Sequence, residues 1–437
     1  MSDPTIDSIL PESLSDLLVV VENYKGEKTD ITGIVTEISI YESIFNPFLY
    51  GEVILIDGTD AFNDIPFIGQ EKLEISWKRD EINVQKTFRV TNVYNITKAQ
   101  ESFGAYGLTI TAEEQLINSI SLFSKAYQGR SDEIVDKIYE EFFDREIDFK
   151  VEGKTKHSIV FPYLKPFQAI NMILKNTLCD DNSPMFLFDS MVRDDDDDKL
   201  FFESFNHMFR KPAFYTIEQK KNLAKTLNKN VQGIELAMQK RGSILQEFSP
   251  KAFDTLDNII NGSFASKATI LDASIKRGMV QIFDEKEDFE PASNSYISDN
   301  FKINELGLNE LPDTKHMTIV KNSKAFEDEE FPNLNTVDDM DKQILQAWKQ
   351  RLFVITTEIN MDSINYLLDS KKAFRVGKTV NYNASVMKTK FDANDRKYNK
   401  LISGKYLISN IRHYIKNGKY TMSIELIRDG MNEEVIL

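Results

Sequence analysis

From Leu17 to Ala112 apolar and polar residues alternate in short runs separated by turn residues, which is the period of β-strands. Leu17 to Tyr24 is apolar and β-branched until Lys25-Gly26-Glu27 breaks it. Within Ile31 to Ile40, Ile34, Thr36, Ile38 and Ile40 share one face, and Val35, Glu37 and Ser39 the other. Gly51 to Asp57, Lys72 to Lys78, Lys86 to Tyr94 and Tyr106 to Thr111 continue the series, with Asn46-Pro47 as a turn. Strands at this spacing with no helical stretch between them predict an antiparallel barrel or sandwich.

Near Ala112 the period lengthens to that of helices. Glu113 to Ser124 places Leu116, Ile117, Ile120 and Phe123 on one face, and Asp132 to Phe143 does the same with Ile134, Val135, Ile138 and Phe142. A further helix is predicted from Phe167 to Leu178, after Pro162 and Pro166. Met185 to Asp189 and Lys199 to Glu203 read as two strands flanking Arg193 and the aspartates 194 to 198, so this stretch is a mixed α+β module. Val231 to Phe248 is mixed in pattern, Lys251 to Ile260 is a short helix ended by Asn261-Gly262, and Lys267 to Ile275 is a strand. Between Asp284 and Asp339 acidic residues, Asn, Ser and Pro are enriched and periodicity is poor, which predicts a surface insertion with little core. Asp341 to Phe353 resumes as a helix, and strands follow to the end.

Asn417-Gly418 is the strongest turn signal in the chain, because a two-residue hairpin loop needs positive φ at both central positions. Folding there pairs Ile415 with Tyr420, His413 with Met422, Ile411 with Ile424 and Ser409 with Leu426 on an apolar face. Tyr414 with Thr421, Arg412 with Ser423 and Asn410 with Glu425 fall on the polar face.

The early strand pattern recurs in the second half. Gly51 to Asp57 compares with Ser266 to Asp272, Ile68 to Ile75 with Val376 to Asn383, Phe88 to Tyr94 with Tyr406 to Arg412, and Tyr106 to Thr111 with Tyr420 to Glu425. The order is the same in both sets, which favours an internal duplication over two unrelated sheets of similar patterning.

The formal charge is −16 and the pI about 4.9, so the surface does not attract phosphate backbones and no specific nucleic-acid binding is expected. Lys220, Lys221 and Lys225 read as one solvated face of a helix from Glu218 to Leu227. One cysteine, Cys179, excludes an intramolecular disulfide framework and a cysteine zinc cluster, and no neighbouring His or Lys activates it. His157, His207, His316 and His413 are scattered without metal-ligand spacing; His413 is expected in a core or interface. The run Asp194 to Asp198 lacks the spacing and glycine of a calcium loop and reads as a solvated hairpin tip. No nucleophile elbow or phosphate loop occurs, so no catalytic, cofactor-binding or metal residue is assigned and no enzyme is expected. The N-terminus lacks a signal peptide's basic flank and apolar run, no stretch approaches the roughly 18 apolar residues of a membrane span, and synthesis in the cytoplasm is expected.

The segment Ile31 to Gly51, together with Gly404 to Gly430, resembles the baseplate central hub subunit of contractile-tailed bacteriophages, related to the hub portion of VgrG and to phage late control protein D. The resemblance spans the chain in layout. It implies an α+β, β-rich fold: two tail-tube-like antiparallel β-barrels with an α+β module between them and an acidic insertion in the second barrel. The corresponding division is a first barrel over 1–112, the α+β module over 113–212, the start of the second barrel with linking helices over 213–275, the acidic insertion and its helix over 276–352, and the rest of the second barrel over 353–437. It further implies a homotrimer in the tail baseplate of a virion, a pseudo-sixfold ring joining the hexameric tail tube to the trimeric central spike. Wedge and tape measure proteins are its other implied partners. A cell-wall-degrading tail hydrolase, or the hub of a non-phage contractile injection system, are the alternatives.

Overall fold

Strand propensity and alternation act first in the N-terminal region, where Ile38, Ile40, Val53, Leu55, Leu73, Ile75, Val90, Leu108 and Ile110 are all buried while their chain neighbours are more exposed. A computed structural model of the chain describes residues 15–58, 67–79, 82–100, 103–192, 198–218, 244–247, 254–273, 276–289, 302–303, 305–321, 339–360, 373–384, 398–399, 402–416 and 419–430. The first strands are β1 (Ser15–Glu22), β2 (Lys28–Asp30), β3 (Val35–Ser43), β4 (Asn46–Asp57), β5 (Lys72–Arg79), β6 (Ile82–Gln100) and β7 (Phe103–Thr111).

The middle module runs through α1 (Glu113–Ile120), β8 (Phe123–Arg130), α2 (Ser131–Phe142), β9 (Ile147–Phe149), β10 (Lys156–Leu164), α3 (Pro166–Leu174), β11 (Met185–Phe188), β12 (Leu200–Ser204) and α4 (Phe205–Arg210). Asp132 and Glu133 in the first turn of α2 complement the helix dipole, and Pro166 opens α3 where its missing N–H costs nothing. Ile134, Val135, Ile138 and Tyr139 of α2 and Phe167, Ile170 and Ile173 of α3 fill the module's own core. The helix predicted over Glu113 to Ser124 stops at Ile120, and Phe123 to Arg130 is instead a strand paired with β10. Phe123 thereby packs 5.8 Å from Phe161, while Ile120 is left 84% exposed: tertiary pairing overrides the helical period.

The second half contains β13 (Tyr215–Glu218), β14 (Ile244–Glu247), α5 (Thr255–Ile260), β15 (Ala265–Asp272), β16 (Arg277–Asp284), α6 (Glu285–Asp288), β17 (Lys302–Ile303), β18 (Leu306–Gly307), β19 (His316–Lys321), α7 (Asp339–Arg351), β20 (Phe353–Asn360), β21 (Thr379–Asn383), β22 (Gly404–Lys416) and β23 (Lys419–Arg428). Residues 219–227 of the predicted helix Glu218 to Leu227, with Lys220, Lys221 and Lys225, the Asn417-Gly418 turn, and residues 290–301, 304 and 322–338 of the acidic insertion lie outside the described residues.

The two predicted barrels are not separate closed structures among the described residues. Thirteen strands form one open sheet in the order β14-β20-β23-β22-β3-β4-β7-β6-β5-β1-β2, with β21 beside β22 and β13 beside β21. One large core lies against it and includes Phe88, Tyr406, Leu73 and Val380 from the sheet and Phe188, Phe205 and Met208 from the module. Ser266 to Asp272, compared above with Gly51 to Asp57, does not join this sheet. It belongs to β15, which forms a three-stranded sheet with β16 and β19. The segment has a strand's pattern, but pattern does not select a partner.

Candidate functional site

The residues with the most to do are those that join the two halves. In the first half the strands lie in the order β3-β4-β7-β6-β5-β1; in the second, β14-β20-β23-β22-β21-β13. With β2 and β15 to β19 left out, strands at the same place in the two lists have the same rank along the chain. The irregularities coincide as well. The β6–β7 register shifts between Val90 and Asn92, opposite Ile110 and Thr109, and the β22–β23 register shifts between Ile408 and Asn410, opposite Leu426 and Glu425. The β3–β4 register shifts between Val35 and Glu37, and the β14–β20 register between Ile244 and Gln246. At the first pair of bulges Thr91 Oγ1 donates to the Thr109 carbonyl and Ser409 Oγ to the Glu425 carbonyl, both at 3.2 Å. Gly69 (φ +87°) and Gly377 (φ +80°) precede β5 and β21, and Val90 and Ile408 donate to the carbonyls of Glu71 and Lys378, both at 2.9 Å. One difference stands out: β1 runs antiparallel to β5, whereas β13 runs parallel to β21.

The alignment read from sequence therefore needs adjustment. Phe88 to Tyr94 matches Tyr406 to Arg412 residue for residue. The second copy is one residue shorter between its glycine and its strand, and Ile110 corresponds to Leu426, two residues beyond the expected Ile424. The final hairpin pairs as predicted from Ile415 and Tyr420 back to Asn410 and Glu425; the bulge at Ser409 then places Ile408, not Ser409, opposite Leu426.

The halves meet where β22 pairs antiparallel with β3, from Asn410 opposite Ser43 to Lys416 opposite Glu37. On the buried face His413 Nε2 lies 2.7 Å from Glu42 Oε1, and its Nδ1 lies 2.6 Å from the Tyr420 hydroxyl. A carboxylate only accepts, so Nε2 donates to Glu42. The second Glu42 oxygen accepts the Met191 N–H at 3.3 Å, tying the seam to the α+β module. On the polar face the Arg412 guanidinium stands 4.6 Å from the Tyr414 ring centre and donates to Ser39 Oγ at 2.9 Å. Lys416 and the Tyr414 hydroxyl donate to Glu37, and these hydrogen bonds hold its carboxyl below the usual range. The Lys416 pair is exposed and screened by solvent, so it adds little to stability. Seam stability rests instead on main-chain pairing and the apolar face.

No family model matches the chain, and no curated protein matches it. Among solved structures, a tail protein from Neisseria meningitidis MC58 superposes with a TM-score of 0.53 at 12% identity, covering 95% of this chain and 97% of that one. The 43 kDa tail protein of prophage MuSo2 from Shewanella oneidensis gives 0.51 at 11% identity, covering 94% and 98%. The fold is that of phage tail proteins. The E. coli c3393 protein, a component of the type VI secretion system, gives 0.43 at 7% identity, covering 90% and 73%.

Within this tail-protein fold the residues weighed for chemistry are dispersed. Cys179 is buried with Sγ 2.8 Å from Asp180 Oδ1, and burial pushes its thiol pKa up, away from reactivity. Burial brings His157 down to about 4, and its Nε2 contacts Thr155 Oγ1 at 2.9 Å. His207 lies 3.2 Å from Glu203, and His316 lies 2.8 Å from Thr269 Oγ1 on another sheet. Asp198 is exposed, as a solvated tip would be, and it also pairs with Lys86 and Arg145 at 3.0 Å each, while residues 193–197 lie outside the described residues. Arg145 also bonds Glu114 and the buried Asp189, both at 2.9 Å. This cluster and the Glu42–His413 contact were not visible in the sequence, because their members are far apart along it. Among the described residues no group of three His, Cys, Asp or Glu is placed to hold a metal ion, and no helix is long and apolar enough to cross a membrane.

Proposed function

We infer that this chain is the hub protein of a contractile-tail baseplate, acting by assembly and not by catalysis. Three copies surround the tail axis as a ring of six similar strand sets. One side of the ring meets the hexameric tail tube and the other the trimeric central spike, and the genome passes through the middle. Wedge and tape measure proteins contact it in the virion. The observation that supports this reading is the repeated strand order within one continuous sheet. A threefold object built from duplicated halves offers six near-equivalent contacts, so it meets a sixfold partner without a symmetry mismatch. The net charge of −16 suits such a channel, since like charges keep DNA from adhering to protein.

Native mass measurement and electron-microscope class averages of the purified protein test the reading. A trimer with a central opening and six peripheral features is expected. A stable monomer, even with the spike protein present, overturns it. Peptidoglycan is expected to remain intact on incubation; hydrolysis abolished by one carboxylate substitution would establish an enzyme instead.

A further inference from the structure

The two-residue turn Ile44-Phe45 that joins β3 to β4 stands at the end of the seam, where the Ile44 N–H donates to the Ser409 carbonyl at 2.9 Å. Its tip carries Phe45, which is 51% exposed although its ring meets Phe186 edge-on at 5.6 Å. A concavity opens on either side of this tip, and Phe45, Pro47, Phe167 and Asn171 line both.

The first is an apolar cavity of about 250 Å³ between the turn, α3, β11 and α7. Phe167, Phe186, Phe205 and Trp348 contribute aromatic rings to its wall, and the Trp348 indole is held by donating to the Asn182 carbonyl at 3.3 Å. A cavity of about 150 Å³ holds a benzene ring, so this one admits one aromatic or large aliphatic side chain and no larger element. Lys175, one residue beyond α3, and Lys349 of α7 also line it; both are exposed, and neither makes an ion pair among the described residues. Lysine stems cover apolar walls while their charged ends stay in water.

The second concavity is a more open trough lined largely by amides. The side-chain oxygens of Asn46, Asn118 and Gln168 accept the N–H groups of Phe48 at 3.1 Å, Phe167 at 3.0 Å and Lys165 at 3.2 Å. These bonds set the orientation of each amide and leave its NH₂ group as a donor along the trough. The complementary chemistry is that of carbonyl and carboxylate oxygens.

We propose that this groove binds an extended acidic peptide segment of a partner protein, which puts one aromatic or large aliphatic side chain into the cavity and lays its main chain along the trough. Two observations specify that occupant. An apolar hole beside a row of donors matches a chain that offers one carbonyl per residue, whereas the tail of a free amphiphile finds no apolar path in the trough. Lys175 and Lys349 favour acidic residues next to the anchor, in a protein whose net charge of −16 otherwise repels them. The groove lies within one copy of the chain, so it does not depend on the ring proposed above.

The test uses the full-length protein and a nine-residue synthetic peptide, capped at both ends, with a central phenylalanine, two glutamates on each side of it and alanine elsewhere. Calorimetry should show one peptide bound per chain. Replacing the phenylalanine by alanine, or the glutamates by lysines, should weaken binding about tenfold or more. In a Trp77→Phe background Trp348 is the remaining tryptophan, and its emission should shift on binding, which locates the anchor in the cavity. Leu174→Trp, which fills the cavity from α3, should abolish binding. Lys175→Glu with Lys349→Glu leaves the core untouched and should reverse the preference in favour of the lysine-flanked peptide. No binding of the glutamate peptide at about 1 mM, or binding indifferent to the phenylalanine and to the charges, overturns the proposal. Decanoate held in the cavity with no peptide able to displace it assigns the site to a free amphiphile and overturns it too. So does a native mass that falls in Leu174→Trp while no peptide binds the unaltered protein, which assigns the cavity to a second copy.

Discussion

Thr91 and Ser409 hold the same bulge in the two halves of one sheet, each hydroxyl donating to a carbonyl across the ladder at 3.2 Å. Their surroundings differ: Thr91 is exposed, whereas Ser409 is fully buried and shares its one hydroxyl proton with the nearer Glu425 Oε1 at 2.7 Å. Ser409→Ala should therefore lower stability by about 1 kcal/mol or more and Thr91→Val by less, because a hydrogen-bonding group is harder to leave unsatisfied in the interior. Urea midpoints of the two variants check this; a larger effect at Thr91 contradicts it.

Removing the His413 ring strands the Glu42 carboxylate, itself 1% exposed, with the Met191 N–H as its remaining hydrogen-bond partner. His413→Leu should cost about 3–5 kcal/mol. The double variant His413→Leu with Glu42→Leu should cost less than the sum of the single changes, since it removes the stranded charge as well. A double-mutant cycle by thermal unfolding measures the coupling, and additivity would show that the two side chains do not depend on each other.

Gly69 and Gly377 share a left-handed backbone but not their surroundings. A Cβ on Gly377 would sit 2.8 Å from Phe188 Cζ and 3.1 Å from Met208 Sδ, whereas at Gly69 its nearest neighbour is 3.9 Å away. Gly69→Ala should lose about 1 kcal/mol from backbone strain alone. Gly377→Ala should lose more, by about 1–3 kcal/mol, because it also overpacks the core. Equal melting temperatures for the two variants would refute the distinction.

Two buried groups give the acid limb of stability opposite residues to test. Burial alone would raise the Asp189 pKa, but Lys86 and Arg145 outweigh it and hold the carboxyl below its ordinary 3.8. That stabilisation is full above the ordinary value and is lost as pH falls below it. His157 acts earlier. Burial brings it to about 4 from 6.5, so the unfolded chain takes up a proton that the folded chain refuses, and stability falls between pH 6.5 and 4. His157→Gln should flatten the slope in that window, on the order of 3 kcal/mol in total. Asp189→Asn should flatten the slope only below about pH 4. Chemical denaturation from about pH 2 to pH 7 separates the two, and an unchanged slope in both windows would contradict both assignments.

Local chemistry alone sufficed for much of this chain. Alternation marked β3, β4, β5 and β7, the hairpin register held from Ile415 opposite Tyr420 to Asn410 opposite Glu425, and Phe88 to Tyr94 announced its counterpart at Tyr406 to Arg412. These features depend on residues close in sequence, or on a pattern repeated in it, so the order of side chains is enough to reveal them. Only the folded chain decided that the two halves share one sheet, that Ser266 to Asp272 leaves it, that Ser409 bulges, and that His413 meets Glu42 371 positions away. A period of two says which side chains face inward, but every strand edge presents the same N–H and C=O groups. Which edges meet is settled by the packing of distant surfaces, and there the seam arises.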